Sequence, residues 1–120
     1  MGLALSENPG RRLADIVTAI ARIDAYVADI GGLEAFMLDR YLHRDAVERQ
    51  LLIVAEAARK LRGQVDDLEP GIDWNAIRGM GNFIRHDDDG VEDEIIERVI
   101  ETALAPLAAA CRRLQERFPR

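Results

Sequence analysis

The chain has 120 residues, a length that suits one domain with a single hydrophobic core and excludes two catalytic domains. Apolar residues make up 48% of it and charged residues 32%, with 9 glycines and 4 prolines. This composition is too apolar for a disordered protein and too poor in glycine and proline for a fibrous one. We therefore expect one globular domain over residues 1–120.

The net charge of −6 is unevenly distributed along the chain. Between Asp87 and Glu101, eight acidic residues accompany one basic residue, Arg98, which gives this stretch a charge of −7 and leaves about +1 for the remainder. Because phosphate binding depends on clustered lysine and arginine side chains, any anion-binding face is expected outside this acidic stretch.

Several classes of protein are excluded by what the sequence lacks. No apolar run approaches the roughly 20 residues of a membrane-spanning helix, and residues 1–6 have neither the basic flank nor the apolar stretch of a secretory signal. A cytoplasmic protein without membrane association is expected. The single cysteine, Cys111, excludes an internal disulfide, and two histidines, His43 and His86, are too few for a structural zinc site. We predict no metal and no cofactor.

Apolar residues recur at three- and four-residue spacing in the first half of the chain, which predicts helices. The first helix runs from about Pro9 to Ile30, with Asn8 as its N-cap and proline at its first position. A short helix over Leu33–Asp39 follows. A longer third helix is predicted to open at Asp45 and to stop at Gly63.

The next predicted helix contains two glycines. It follows the turn signal Pro70-Gly71, and Asp73 can act as its N-cap. Gly79 and Gly81 each weaken a helix interior by roughly 1 kcal/mol relative to alanine. Their presence suggests that another backbone approaches this helix closely.

The last predicted helix extends from about residue 92 to residue 117, and Pro106 is expected to kink or divide it. We find no internal repeat and no alternation typical of strands. The predicted fold is therefore all-α, an up-and-down bundle of four to five helices with short connections.

The densest group of polar residues lies at the end of the glycine-containing helix. Asn82 and His86 are four residues apart and share one helix face, while Arg78 and Arg85 share a neighbouring face. A histidine can abstract or donate a proton, and arginines can hold a phosphate, which is the minimum equipment for metal-free cleavage of RNA through its 2′-hydroxyl. A histidine at a helix C-terminus also commonly caps carbonyls, which is a structural alternative.

Three other groups of residues have competing interpretations. The run Asp87–Asp89 beside His86 could bind Mg²⁺ or Mn²⁺, or could be a solvated acidic turn before a helix. Glu56 is expected to be a buried carboxylate that pairs with Arg49 or Lys60. The arginines of the helices, Arg59 among them, alternate with acidic residues and lack aromatic stacking partners, which favours a solvated surface.

Several stretches together resemble a known family. They are Arg12–Ile16, Arg44–Arg49, Val54–Leu61, Pro70–Trp74 and Ile77–Asn82, followed by His86. On these stretches the chain resembles the HepT-like branch of the HEPN-domain family over nearly its whole length. The resemblance implies a HEPN-like helical bundle that forms a homodimer, with paired motif helices lining a cleft. It also implies a toxin that cleaves RNA without metal until a minimal nucleotidyltransferase partner modifies it.

The motif of this family reads Arg-Asn-x-x-x-His-x-Tyr in many members. Asn82 and His86 match it, but Gly81 stands at the arginine position and Asp88 at the tyrosine position. Asp88 lacks the hydroxyl that the nucleotidyltransferase modifies with AMP in the HepT system, and it adds negative charge where a phosphate would approach. Arg85 or Arg78 could supply the missing guanidinium from a different angle.

Two functions follow from this comparison of motifs. In the first, the protein is the toxin of a toxin–antitoxin pair and a metal-independent endoribonuclease. His86 is then the general acid or base, Asn82 orients His86 or the phosphate, and Arg85 or Arg78 is a displaced phosphate clamp. In the second, motivated by Gly81 and Asp88, the protein is a non-catalytic HEPN-type subunit that docks a minimal nucleotidyltransferase.

Overall fold

The computed structural model describes residues 8–85 and 91–120, and within them the chain is helical with no β-strand. The helices in chain order are α1 (Pro9–Asp29), α2 (Leu33–Leu38), α3 (Leu42–Lys60), α4 (Trp74–Arg85), α5 (Val91–Arg98) and α6 (Leu104–Arg117), with a π-helical segment, Val99–Ala103, between α5 and α6. The predicted all-α fold is confirmed. None of the described helices is both long enough and apolar enough to cross a membrane.

Helix α1 packs between α3 and α6 and runs antiparallel to both. Where α1 ends and α3 begins, Nε2 of His43 lies 2.7 Å from Oδ2 of Asp29. At the opposite end of α1, the backbone of Phe118 and Pro119 passes directly over Gly10. These two contacts fix the directions of the three helices.

Helix α4 returns along α3, and α5 begins near the start of α3. Arg78 of α4 bonds to the carbonyl of Ala58 near the end of α3, and Gly81, further along α4, faces Leu52, which is further back in α3. The long helical stretches α1, α3, α4 and α5–α6 therefore alternate in direction. This is the up-and-down arrangement that was predicted.

The core is formed by apolar side chains from every α-helix and from the first part of the α3–α4 loop. Its largest fully buried members are Phe36, Leu13, Ile16, Ile23, Leu51, Leu61, Ile96, Leu104, Leu107, Leu114, Val47 and Val54. Burying one such side chain contributes about 1.5–3 kcal/mol, so this cluster supplies most of the driving force for folding. The apolar stripe predicted for α1 is part of the core.

The ends of α1 follow the predicted chemistry. Oδ1 of Asn8 accepts a hydrogen bond from the backbone N–H of Arg11 at 3.0 Å, and Pro9 is the first helical residue. After the helix, Gly31 and Gly32 have φ angles of 109° and 113°. Residues other than glycine rarely adopt such positive φ angles. The predicted N-cap of α1 is confirmed, and the two glycines end the helix.

Helix α3 begins at Leu42, three residues before the predicted start at Asp45. Its N-cap residue is Tyr41, and the side chain that bonds to the first turn is that of Asp39, not that of Asp45. Oδ2 of Asp39 accepts a hydrogen bond of 2.7 Å from the backbone N–H of Arg44, one of the N–H groups that a helix start leaves without a partner. Asp45 is instead the fourth residue of the helix.

The long C-terminal helix is divided just before Pro106, as its sequence predicted. The division is the π-helical segment Val99–Ala103, in which the N–H of Leu104 bonds to the carbonyl of Val99, five residues earlier. Pro106 has no N–H for the carbonyl of Thr102, so a regular α-helix would lose a hydrogen bond there. Ile96 before the segment and Leu104 after it are both buried.

The close backbone approach predicted at Gly79 and Gly81 is not found among the described residues. A Cβ atom at Gly79 would have no neighbour within 4 Å, and one at Gly81 would meet only side chains. The close approach occurs at Gly10, where a Cβ would lie 2.7 Å from the carbonyl oxygen of Pro119. Gly10 therefore allows the chain after α6 to pack on α1.

Candidate functional site

Helix α4, which carries the predicted site, is fixed at its start by polar contacts. Oδ1 of Asp73 accepts a hydrogen bond from the N–H of Ala76 at 3.1 Å, the N-cap that the sequence predicted. Trp74 is buried, and its indole Nε1 donates to the carbonyl of Glu69 at 3.0 Å. Ile77 and Met80 continue the buried face.

Arg78 lies on this buried face, with only 3% of its side chain exposed. Its Nε donates to the carbonyl of Ala58 at 2.9 Å, and its two terminal nitrogens donate to Asp66 at 2.7 and 2.8 Å. Nη1 also reaches Oδ1 of Asn75 at 3.3 Å, and the guanidinium carbon lies 5.9 Å from the ring centre of Trp74. Every guanidinium nitrogen of Arg78 is thus bonded within the fold.

The pair between Arg78 and Asp66 fastens α4 to the loop that precedes it. Hydrogen bonds from the Arg78 guanidinium lower the pKa of the Asp66 carboxyl below its ordinary value, more strongly than partial burial raises it. Asp66 therefore remains ionised opposite Arg78 under neutral conditions, and the buried arginine has a charged partner.

Asn82, one helical turn after Arg78, lies on the solvent-exposed side of α4. It shares this face with Asn75 and Gly79, and Phe83 beside it is 52% exposed. Asn82 and Arg78 are therefore neighbours along α4, but Arg78 is buried against the fold whereas Asn82 is exposed to solvent. The exposed face combines a polar amide, a bare backbone at Gly79 and a half-exposed aromatic ring.

Arg85 is the last residue of α4, and His86 follows it in the chain. His86 and the acidic run Asp87–Asp89 lie outside the described residues, so the predicted positions of the histidine and of the tyrosine-equivalent Asp88 remain sequence-based predictions. The described part of the site is the exposed face of α4 up to its final turn.

An arginine that the sequence did not single out lies beside the motif position that lacks one. A Cβ at Gly81 would be 3.6 Å from Nη2 of Arg59 and 3.6 Å from Cδ2 of Leu52, both on α3. The guanidinium of Arg59 therefore occupies the space into which a side chain at position 81 would extend. Arg59 and Gly81 are 22 positions apart, so no local spacing in the sequence could have indicated this.

Arg59 belongs to a small charged group on α3. Its Nη1 donates to Oε1 of Glu56 at 3.2 Å, and Nζ of Lys60 lies 3.9 Å from the other oxygen of Glu56. Glu56 is 54% exposed, so the prediction of a buried carboxylate is wrong, although the predicted pairing with Lys60 is confirmed. Two cations around one carboxylate leave the group with a net positive charge.

A groove of about 380 Å³ runs between α1 and α3 and is open to solvent. It is lined by Arg12 and Asp15 on α1 and by Arg49, Leu52 and Glu56 among others on α3. Leu52 is also 3.6 Å from the position of a Cβ at Gly81, so one leucine borders both the groove and this part of α4. Two arginines from different helices, Arg12 and Arg49, therefore line this groove.

A second network of charges fixes the start of α5 against the start of α3. Buried Arg44 donates to Glu48 at 2.7 Å and to Asp93 and Glu92, and Arg40 donates to Asp93 at 2.8 Å. Burial disfavours the charge on Arg44, but hydrogen bonds to Asp93 and Glu48 outweigh it, so the pKa of Arg44 is raised. Part of the acidic stretch is thus neutralised by arginines.

Within residues 8–85 and 91–120, no three histidine, cysteine or acidic side chains converge as ligands for one metal ion. The alternative in which Asp87–Asp89 join His86 around Mg²⁺ or Mn²⁺ concerns residues outside these ranges and stays a hypothesis. Cys111 is buried in the core, and burial, together with the charge of Glu69, raises the pKa of its thiol to about 12. Cys111 is therefore a small residue of the hydrophobic core.

Fold and site together define a small up-and-down helical bundle that presents a polar motif at the end of one outer helix. The family model described as "Ribonuclease HepT-like" matches residues 16–114. Since this range covers most of the chain, the protein belongs to the HepT-like ribonuclease family, and the resemblance stated from the sequence is confirmed. No solved structure matches the chain significantly.

Proposed function

We propose that this protein is a cytoplasmic toxin of a toxin–antitoxin pair and an endoribonuclease that cleaves RNA without a metal ion. The proposal is carried by the match to the HepT-like ribonuclease family over residues 16–114. It is supported by Asn82, whose side chain is exposed on α4 one helical turn before His86 in the sequence.

In the proposed reaction, the 2′-oxygen of a ribose attacks the adjacent phosphorus. The O2′–P bond forms and the P–O5′ bond breaks, while the 2′-hydroxyl loses its proton and the leaving 5′-oxygen gains one. The products are a 2′,3′-cyclic phosphate and a 5′-hydroxyl. His86 acts as the general acid or base, Asn82 orients His86 or the phosphate, and Arg85 contacts the phosphate.

Arg78 has a different part in this proposal from the phosphate clamp considered for it in the sequence. All of its guanidinium nitrogens are bonded to groups of α3, α4 and the loop between them. An RNA phosphate would have to displace Asp66 from the guanidinium of Arg78, a side chain of which only 3% is exposed. We therefore assign Arg78 to holding α4 in position on α3.

The proposed active form is a homodimer in which two copies of α4 face each other. Gly79 has open space where its Cβ would be, and Phe83 is half-exposed on the adjacent surface. A second helix could approach the backbone closely at Gly79 and cover Phe83, which would place two copies of Asn82 along one cleft. A monomer at micromolar concentration in sedimentation experiments would contradict this arrangement.

The proposed activity is tested with pure protein, a structured RNA and EDTA. We expect cleavage that leaves 2′,3′-cyclic phosphates, and loss of that cleavage in the variant His86→Ala. The matched control is His43→Ala, because His43 is bonded to Asp29 and lies on another helix. Absence of cleavage by the unmodified protein, or equal cleavage by His86→Ala, would contradict the proposal.

A second function is favoured by the substitutions in the motif and by the engagement of Arg78. With Gly81 and Asp88 at the arginine and tyrosine positions, the protein would be a non-catalytic subunit that docks a minimal nucleotidyltransferase. Co-expression with the neighbouring reading frame distinguishes the two functions. A stable complex with a nucleotidyltransferase, combined with no action on RNA, supports docking alone. With either function, we expect that a nucleotidyltransferase does not attach AMP at position 88, because the side chain of Asp88 has no hydroxyl.

A further inference from the structure

We infer that Arg59, on α3, supplies the substrate-contacting guanidinium that motif position 81 on α4 lacks. This inference rests on the proposed ribonuclease function and names one more residue of its phosphate-binding site. The ligand it would take is a phosphodiester of the RNA backbone.

The first argument is position. Gly81 is buried against α3, and a Cβ added there would lie 3.6 Å from Nη2 of Arg59, in van der Waals contact with it. The next residue along α4, Asn82, is exposed and is the first residue of the matched motif. The guanidinium of Arg59 therefore stands beside the motif, although it arrives from a different helix.

The second argument is availability. Arg59 is 38% exposed, and Nη1 alone among its terminal nitrogens has a hydrogen-bond partner in the part of the chain that the structure describes. Nη2 thus retains N–H groups that can be donated to a phosphate oxygen. Arg78 differs in both respects, because it is almost fully buried and all of its nitrogens are bonded.

The third argument is orientation and charge. The bond from Nη1 to Glu56 holds one side of the planar guanidinium and directs the other side toward Gly81. Lys60 shares Glu56, so one carboxylate faces two cations and does not cancel the positive charge at this edge of α4. A phosphodiester, which carries one negative charge, would be attracted to this group, and a bidentate contact would require the planar fork of the arginine guanidinium.

The principal experiment compares Arg59→Ala with Arg62→Ala in single-turnover RNA cleavage. Arg62 is an exposed arginine three residues away that makes no side-chain hydrogen bond within the described chain, so it controls for the loss of one positive charge. Loss of a donor to developing phosphate charge lowers rates by about 10²–10³-fold, which we expect for Arg59→Ala. Arg62→Ala should stay within about twofold of the unmodified protein by the same reasoning.

A second pair of variants separates contact with the phosphate from a structural role. In Arg59→Ala, the additional change Gly81→Arg places a guanidinium in the vacated space and should restore much of the rate. Arg59→Lys keeps the positive charge but lacks the planar guanidinium, so its cleavage rate should be lower than that of the double variant. Failure of Gly81→Arg to rescue a correctly folded Arg59→Ala dimer would overturn the inference.

Binding of a 2′-O-methyl RNA, which cannot be cleaved, makes the outcome independent of catalysis. If the unmodified protein binds this RNA but does not cleave RNA, the proposed activity fails, while weaker binding by Arg59→Ala alone still supports the contact. If Arg59→Ala binds and cleaves like the unmodified protein, the contact is overturned and the activity stands. If the unmodified protein neither binds nor cleaves, both are overturned.

Discussion

Asp66 and Arg78 share two hydrogen bonds, of 2.7 and 2.8 Å, that tie the loop after α3 to the middle of α4. The variant Asp66→Asn removes the opposing charge and leaves a buried guanidinium without compensation. Because Asp66 is itself 38% exposed, we expect a loss of about 2 kcal/mol of unfolding free energy, less than for a fully buried pair. Urea denaturation measures this value. The control is Asp67→Asn, an exposed neighbour, and an equal loss in both variants would contradict the assignment.

The same pair and the Arg44 network predict how stability depends on pH. Hydrogen bonds from Arg78 and from Arg44 lower the pKa values of Asp66 and Asp93 below the ordinary value of 3.8. A carboxyl with a lowered pKa in the folded state stabilises the fold above its unfolded pKa. That stability is lost as the pH falls through the folded value.

We therefore expect the unfolding free energy to be constant from about pH 7 to pH 5 and to fall below about pH 4. Urea denaturation at several pH values tests this. The double variant Asp66→Asn with Asp93→Asn should be less stable at pH 7 and should lose less on acidification. If the unfolding free energy of the double variant falls just as steeply below pH 4, other carboxyls are responsible for the pH dependence.

Cys111 is expected to be unreactive in the folded protein. Its thiol is fully buried among apolar side chains, and its pKa is raised to about 12, so the nucleophilic thiolate is scarce at pH 8. Ellman's reagent should modify it only at the rate at which the protein unfolds, and at once in concentrated urea. Rapid modification without denaturant would contradict the buried position.

Gly10 is predicted to be intolerant of a side chain. In Gly10→Ala the new methyl group would lie 2.7 Å from the carbonyl oxygen of Pro119, so the chain after α6 would have to move. Crowding of this kind costs about 1–3 kcal/mol, measured as a lower midpoint in urea. Gly71→Ala is the control, because a Cβ there has no neighbour within 4 Å. Equal stability of the two variants would refute the proposed close packing.

The local features of the fold were predictable because they depend on residues close together in the sequence. The cap at Asn8, the cap at Asp73 and the apolar stripe of α1 each follow from a few neighbouring residues. The start of α3 was misplaced because Asp39 and Asp45 are both good capping residues. The structure uses Asp39, whose carboxylate reaches the N–H of Arg44.

The candidate site was less predictable because its residues are brought together by packing between helices. The helical period places Arg78 and Asn82 on adjoining positions of α4, one turn apart, but it does not tell which of the two turns toward α3. That choice makes Arg78 a buried, fully bonded residue and leaves Asn82 exposed. The neighbour of Gly81 is Arg59 of another helix, a relationship that only the tertiary structure shows.

The π-helical segment Val99–Ala103 gives the C-terminal helix one surplus residue. Ile96 and Leu104 are eight positions apart, which in a regular α-helix would separate their directions by about 80°, yet both are buried. The wider π-helical turn contains one extra residue, which reduces the angle between the directions of these two side chains to about 20°. Deleting Thr102 together with Pro106→Ala should therefore yield an uninterrupted helix with its apolar stripe intact, whereas a deletion after Leu107 would rotate Cys111 and Leu114 away from the core. One residue can therefore be removed from this helix without turning its apolar stripe away from the core only at the π-helical turn.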